Sequence, residues 1–274
     1  MTDGTVTETG AARIEATFAG TREAGRAALM PYLVGGFPDQ ETATAVAAAY
    51  ADAGADLIEL GVPFSDPLAD GPTIHAADTA ALAAGATLES VLETCATVSE
   101  RLPVALMVYA NMVLAAGPAD FAARAAAAGA AGVIVPDLPL EERGAVADAL
   151  AGRALALIPL VAPTTPPERR VEICEGAEGF VYAVSVVGTT GERAGEVGEA
   201  ARGFIEDLKG RSPLPVAVGF GISTPEQAAQ FGRVADGVII GTRLVREVSE
   251  ASDREAAVRG VTDVLRATRE ALAR

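Results

Sequence analysis

What most restricts the fold of this chain is a repeated unit: a short apolar run of strand length followed by an Ala-rich amphipathic stretch, recurring from about residue 30 onward. Eight runs have strand character: Met30–Val34, Asp56–Val62, Pro103–Val108, Gly132–Val135, Ala154–Val161, Gly179–Val184, Leu214–Val218 and Gly237–Ile240. Helices are predicted between and after them over Gln40–Ala53, Ala119–Ala128, Leu140–Leu150, Pro167–Glu175, Glu196–Lys209, Pro225–Phe231, Arg243–Val248 and Arg254–Leu272. The segment Ala53-Gly54-Ala55-Asp56-Leu57-Ile58-Glu59-Leu60 is echoed by Ala128-Gly129-Ala130-Ala131-Gly132-Val133-Ile134-Val135, with each glycine where a left-handed helix C-cap belongs. Such βα repetition predicts a parallel sheet, and the strand number is that of a closed (β/α)8 barrel; an open doubly wound sheet is the competing architecture.

The 274 residues suit one such barrel, typically about 250 residues long. Residues 1–20 carry few large apolar side chains and are expected to form a disordered tail ahead of a barrel domain spanning 21–274. No apolar run is long enough to span a bilayer and the polar start does not read as a signal peptide, so a cytoplasmic protein is expected. A net charge of −16 argues against nucleic acid or an anionic membrane as partner. Cys95 and Cys174 suggest buried thiols rather than a disulfide or a zinc site.

The scarcity of two residue types narrows the chemistry. Lys209 is the only lysine and reads as the polar end of a surface helix, which disfavours Schiff-base chemistry. His75 is the only histidine, so neither a His-rich metal centre nor a His acid–base pair is available. Proton transfer is left to carboxylates and phenols. In a barrel the strands' C-terminal ends carry the active site, and there the second run offers Glu59. Period-two alternation puts Leu57, Glu59 and Gly61 on one face and Ile58 and Leu60 on the other. Glu59 is then either a desolvated acid facing the barrel mouth or a buried side chain satisfied by backbone N–H groups or an arginine. Asp70, at the end of a Pro/Gly-rich loop, either faces a substrate or caps the next helix, and its spacing favours capping. Gly219-Phe220-Gly221 and Gly241-Thr242, after the last two strands, are placed for an anion site built from backbone N–H groups, or simply for tight turns. Val187 to Gly195 reads as a mobile lid.

The run Glu59-Leu60-Gly61-Val62-Pro63-Phe64-Ser65-Asp66-Pro67-Leu68-Ala69-Asp70-Gly71-Pro72-Thr73-Ile74 resembles the signature of tryptophan synthase α chains. Met107 to Asn111, Val135 to Pro139, Tyr182 to Gly191, Gly219 to Gln227 and Gly241-Thr242 match in family order, so that the resemblance covers roughly residues 28–250. It implies a single (β/α)8 TIM barrel with an extra N-terminal helix, and a carbon–carbon lyase that splits indole-3-glycerol phosphate into indole and glyceraldehyde 3-phosphate. By matching positions Glu59 would be the general acid/base and Asp70 the group holding the indole N–H. Tyr182 would line the pocket, Thr190 would lie in the lid near Asp70, and Gly191, Gly219, Gly221, Gly241 and Thr242 would bind the phosphate. The resemblance further implies no cofactor in this chain, and an α2β2 heterotetramer with a pyridoxal-phosphate-dependent β chain that receives the indole. That partner would dock on Pro63–Leu68, Tyr109–Asn111 and Asp137–Leu140. Phe37, His75, Asp78 and Val186 depart from the family's usual residues, His75 and Asp78 where amides are common. A free-standing lyase, a phosphosugar isomerase or epimerase on the same barrel, and a catalytically dead regulatory subunit are the alternatives.

Overall fold

The computed structural model describes residues 9–184, 199–219 and 221–273. Its parallel strands are β1 (Ala28–Val34), β2 (Ile58–Gly61), β3 (Val104–Met107), β4 (Gly132–Ile134), β5 (Ala156–Ile158), β6 (Leu160–Val161), β7 (Val181–Val184), β8 (Val216–Gly219) and β9 (Gly237–Ile240). They hydrogen-bond in the order β5-β4-β3-β2-β1-β9-β8-β7-β6. The two apparent edges, β5 and β6, are consecutive pieces of one predicted run, parted by Pro159, which has no N–H for the ladder. The Pro159 carbonyl accepts from the Tyr182 N–H at 2.9 Å, while the Ala156 N–H donates to the Ala131 carbonyl at 3.1 Å. One strand therefore pairs with β4 through its first half and β7 through its second, and the sheet closes. All eight predicted runs are strands of a barrel rather than of an open doubly wound sheet.

The barrel's outer wall contains the expected helices with small shifts in their ends; residues 196–198 of the predicted Glu196–Lys209 helix lie outside the described residues. Helices at Pro72–Ala83, Leu88–Ser99 and Ala110–Ala116 were not delimited from the sequence. The middle one carries a readable start signal, since Thr87 and Ser90 form a reciprocal capping box. Among the described residues no helix is long and apolar enough to cross a membrane.

The expectation of a disordered tail to residue 20 is corrected. Gly10–Glu23 is a helix, capped by the Thr9 hydroxyl, with Ile14 and Phe18 fully buried. It docks against the N-terminal ends of the strands. The Gly10 N–H donates to the Ala154 carbonyl at 2.8 Å, and Phe18 packs on Phe180 with ring centroids 5.7 Å apart. Arg13 donates to the carbonyls of Gly129 and Leu102. Docking supplies the apolar contacts and hydrogen bonds that the segment's own composition does not advertise, and this is the extra N-terminal helix. Residues 1–8 lie outside the described residues.

Candidate active site

At the opposite, C-terminal end of the strands a cleft partly open to solvent is lined by Glu59, Asp70, Tyr182, Gly221, Gly241 and Thr242. Tyr32, Ile74, Met107, Ile222 and Ile239 complete its wall. A concave, largely apolar space with a few convergent polar groups is what a small-molecule site requires.

Glu59 reaches it as the alternation along β2 predicts. Its residue is 1% exposed, and neither carboxylate oxygen has a hydrogen-bond partner among the described residues. Of the two possibilities left open by the sequence, the satisfied buried glutamate is therefore excluded and the desolvated acid remains. Burial, with the negative charge of Asp70 adding to it, pushes the Glu59 carboxyl up to about 8. At neutral pH it is mostly protonated, and is able both to donate a proton and then to take one back.

Asp70 does not cap the next helix, against the preference drawn from its spacing. The N-cap of Pro72–Ala83 is Gly71, which makes no side-chain capping bond. The Asp70 carboxylate instead accepts from the Tyr109 hydroxyl at 2.7 Å, and that hydroxyl accepts from the Ala69 N–H at 3.0 Å. Tyr109 also stacks on Phe64, centroids 5.1 Å apart, so the loop after β2 is fastened to the end of β3. Burial raises the Asp70 carboxyl above its ordinary value, while the Tyr109 hydrogen bond and nearby His75 pull it down. Asp70 thus has a donor to its charged form where Glu59 has none, an environmental difference of the kind that lets two carboxyls divide acid and anion roles between them. Asp78, on the helix that follows, is 3% exposed, and burial with repulsion from Asp70 raises it to about 8.

The anion side is made of backbone. Helix Thr242–Glu250 begins at Gly241 with no side-chain cap, so its first N–H groups remain available at the cleft. Gly221 has φ +79°, a left-handed conformation that a side chain would strain, and it shares this wall. Gly219, at the end of β8, also makes room for Tyr182, since a Cβ there would fall 2.2 Å from Tyr182 Oη. Thr190, Gly191, Val186 and the expected lid lie outside the described residues, as does Phe220.

Among residues the sequence did not single out for the site, Tyr109 and Tyr32 matter most. Each reads in the sequence as an ordinary apolar-run aromatic, and only the fold brings its hydroxyl among the acids. Among the described residues no group of three metal-binding side chains comes together.

Three comparisons bear on this geometry. A family model described as tryptophan synthase alpha chain matches residues 18–273. The tryptophan synthase alpha chain of Gluconacetobacter diazotrophicus is 47% identical over 246 residues, 89% of each chain, and that of a Synechococcus species is 48% identical over 231 residues, 83% of this chain and 86% of its own. Among solved structures, Mycobacterium tuberculosis tryptophan synthase superposes with a TM-score of 0.88 at 37% identity, covering 96% of this chain and 98% of that one. Tryptophan synthase subunit alpha of Legionella pneumophila superposes at 0.87 and 35% identity, covering 95% and 98%.

Proposed function

The chain belongs to the tryptophan synthase alpha chain family, and from that premise we propose the roles its pocket residues play in the reaction. The chain is the indole-3-glycerol-phosphate lyase of tryptophan biosynthesis, and tryptophan synthase α chains work with a β chain. The observation that carries the residue assignment is Glu59, a protonated and unpartnered carboxyl in the same cleft as an anion-holding helix end.

The substrate phosphate rests on the N–H groups at Gly241–Thr242 and beside Gly221 and Gly219; the family resemblance adds Gly191 to this set and assigns Thr190 to the neighbourhood of Asp70. The indole ring lies between Ile74, Met107 and Ile222 with its N–H on Asp70. Glu59 donates its proton to indole C3, and the positive charge that spreads to the ring nitrogen is stabilised by the Asp70 carboxylate. Glu59, now ionised, takes the proton from the hydroxyl next to the ring. The oxygen lone pair forms the aldehyde C=O, the bond between C3 and the side chain breaks, and its electron pair restores the neutral indole. Glu59 ends protonated, ready for another turnover. The ring itself receives the electrons, so the scheme needs neither an imine on Lys209 nor a cofactor in this chain; pyridoxal phosphate belongs to the β chain.

The proposal places the chain in a cytoplasmic α2β2 heterotetramer. Leu68, 89% exposed at the tip of the loop that carries Asp70, and the loops at Tyr109–Asn111 and Asp137–Leu140 form the β-chain dock. Asp137 ties two of these loops together, accepting from the Ala110 N–H at 2.8 Å. The decisive assay is indole release from indole-3-glycerol phosphate by the purified chain and its Glu59→Gln variant. We expect turnover by the first and a loss of about 10²–10⁴-fold in the second, the usual worth of positioned proton transfer. Equal rates would sink the assignment of Glu59.

A further inference from the structure

The reaction as derived leaves one substrate group without a protein partner. Between the ring and the phosphate runs a three-carbon chain with two hydroxyls; Glu59 acts on the hydroxyl beside the ring, and nothing so far meets the middle one.

Tyr32 stands where that chain must pass. Its Cα is in register with Glu59 across the β1–β2 pair. The ring then lies over the ends of both neighbouring strands: a Cβ at Gly61 would fall 2.3 Å from Tyr32 Oη, and one at Gly241 would fall 3.4 Å from Tyr32 Cδ1. Gly61 follows Glu59 on the same inward face, and Gly241 opens the anion-holding helix, so the phenol bridges the acid and the phosphate end of the cleft. Tyr32 is 5% exposed and lines the cleft. The backbone beneath it is pinned, because the Tyr50 hydroxyl donates to the Tyr32 carbonyl at 3.1 Å. The Tyr32 hydroxyl is not one of the oxygens shut away without a partner, and on the wall of the cleft it is open to a ligand hydroxyl.

On the lyase reading above, we infer that the Tyr32 hydroxyl hydrogen-bonds the middle hydroxyl of the glycerol chain and so positions the carbon next to the ring over Glu59. Phenylalanine at this position would keep the ring packing and lose only this contact. Tyr182, whose hydroxyl lies against Gly219 on β8, approaches from the other side of the barrel and is the natural control.

The test compares kcat/KM for indole-3-glycerol phosphate with that for the analogue lacking only the middle hydroxyl, in the wild-type chain, Tyr32→Phe and Tyr182→Phe. A neutral hydrogen bond is worth about three- to ten-fold, and we expect Tyr32→Phe to lose that much on the full substrate and nothing on the deoxy analogue. Equal losses on both substrates, no loss on either, or a hydroxyl-dependent loss confined to Tyr182→Phe would each overturn the inference. Failure of the lyase reading itself shows separately, as no cleavage of either substrate by the wild-type chain. Thermal melting of Tyr32→Phe checks the fold; a loss that tracks unfolding would affect both substrates alike and count against the inference.

Discussion

Both ends of this barrel place carboxylates beside strands, and they treat them in opposite ways. At the N-terminal end Asp56 receives two hydrogen bonds from the Arg26 guanidinium at 2.7 and 2.8 Å, one from the Leu29 N–H at 2.8 Å, and a further contact from Arg269 at 3.3 Å. Asp236 repeats the pattern with Lys209 and the Val216 N–H, each at 2.9 Å. At the C-terminal end Glu59 has nothing to accept from among the described residues. An acid with its lone pairs filled is a tie between strand and loop; the same functional group stripped of partners becomes a proton donor. What separates structural from chemical carboxylates here is the supply of donors.

If this contrast holds, removing acids at the two ends must fail in different ways. The largest effect on stability is expected at Asp56. Asp56→Ala strands the Arg26 guanidinium, whose side chain is only 10% exposed, without its carboxylate, and loss of one partner of a buried pair costs about 3–5 kcal/mol. Urea unfolding should show that loss, while the molecules still folded should cleave substrate at the wild-type rate per active site. A collapse in turnover without a change in stability would erase the distinction between the two ends.

The C-terminal end should show the reverse, in a pH-dependent form. Folded Glu59 and Asp78 hold their protons up to about pH 8, whereas in the unfolded chain they release them near their ordinary values of 4.5 and 3.8. Between those limits folding takes up protons, so the folded state loses stability as pH rises from about 4 to about 8 and levels off above. Glu59→Gln removes one of the two groups. It should therefore match wild type near pH 4 and exceed it at pH 8.5 by roughly 1 kcal/mol or more, a rise in melting temperature of about 2–4 °C per kcal/mol for a chain of this size. An inactive variant that is also no more stable at pH 8.5 would mean that Glu59 carries no desolvation cost in the folded chain.

How much of this was legible in the sequence depends on how local each cause is. Alternation along β2 was enough to aim Glu59 inward, and the glycines after the last strands marked one wall of the cleft, because strand period and βα turns are decided by neighbouring residues. Spacing alone pointed Asp70 to a cap because its partner, Tyr109, lies 39 residues away, and no local pattern separates a cap from a pocket acid when the deciding hydrogen bond is that distant. Composition alone does not show the N-terminal helix, which the family resemblance implied, for a related reason: Ile14 and Phe18 sit four apart among Gly, Ala and Thr, too few to announce an amphipathic face, and the barrel floor supplies what they lack. Tyr32 looked like a core aromatic of β1, which by burial it is; its chemical interest comes from Gly61 making room for its hydroxyl beside Glu59.

The smallest effect, and the one that most sharpens the contrast, is expected at Tyr109, because this residue gives Asp70 the kind of partner that Asp56 enjoys and Glu59 lacks. Tyr109→Phe keeps the ring that stacks on Phe64 and deletes the hydroxyl that donates to Asp70 and accepts from Ala69. A hydrogen bond to a charged group is worth about 1.5–3 kcal/mol, but solvent reaching the half-buried loop will replace part of it, so a drop in kcat of about ten-fold is expected rather than the loss caused by Glu59→Gln. The informative readout is the pH profile. Tyr109 holds the Asp70 carboxyl down against the upward push of burial, so without it Asp70 binds its proton more tightly and becomes neutral at higher pH. Since the ionised form is the one that steadies the indole cation, the acid limb of kcat/KM must move to higher pH in Tyr109→Phe. A fall in activity with an unmoved acid limb would mean that Tyr109 only orders the loop, and that Asp70, like Glu59, works without a partner.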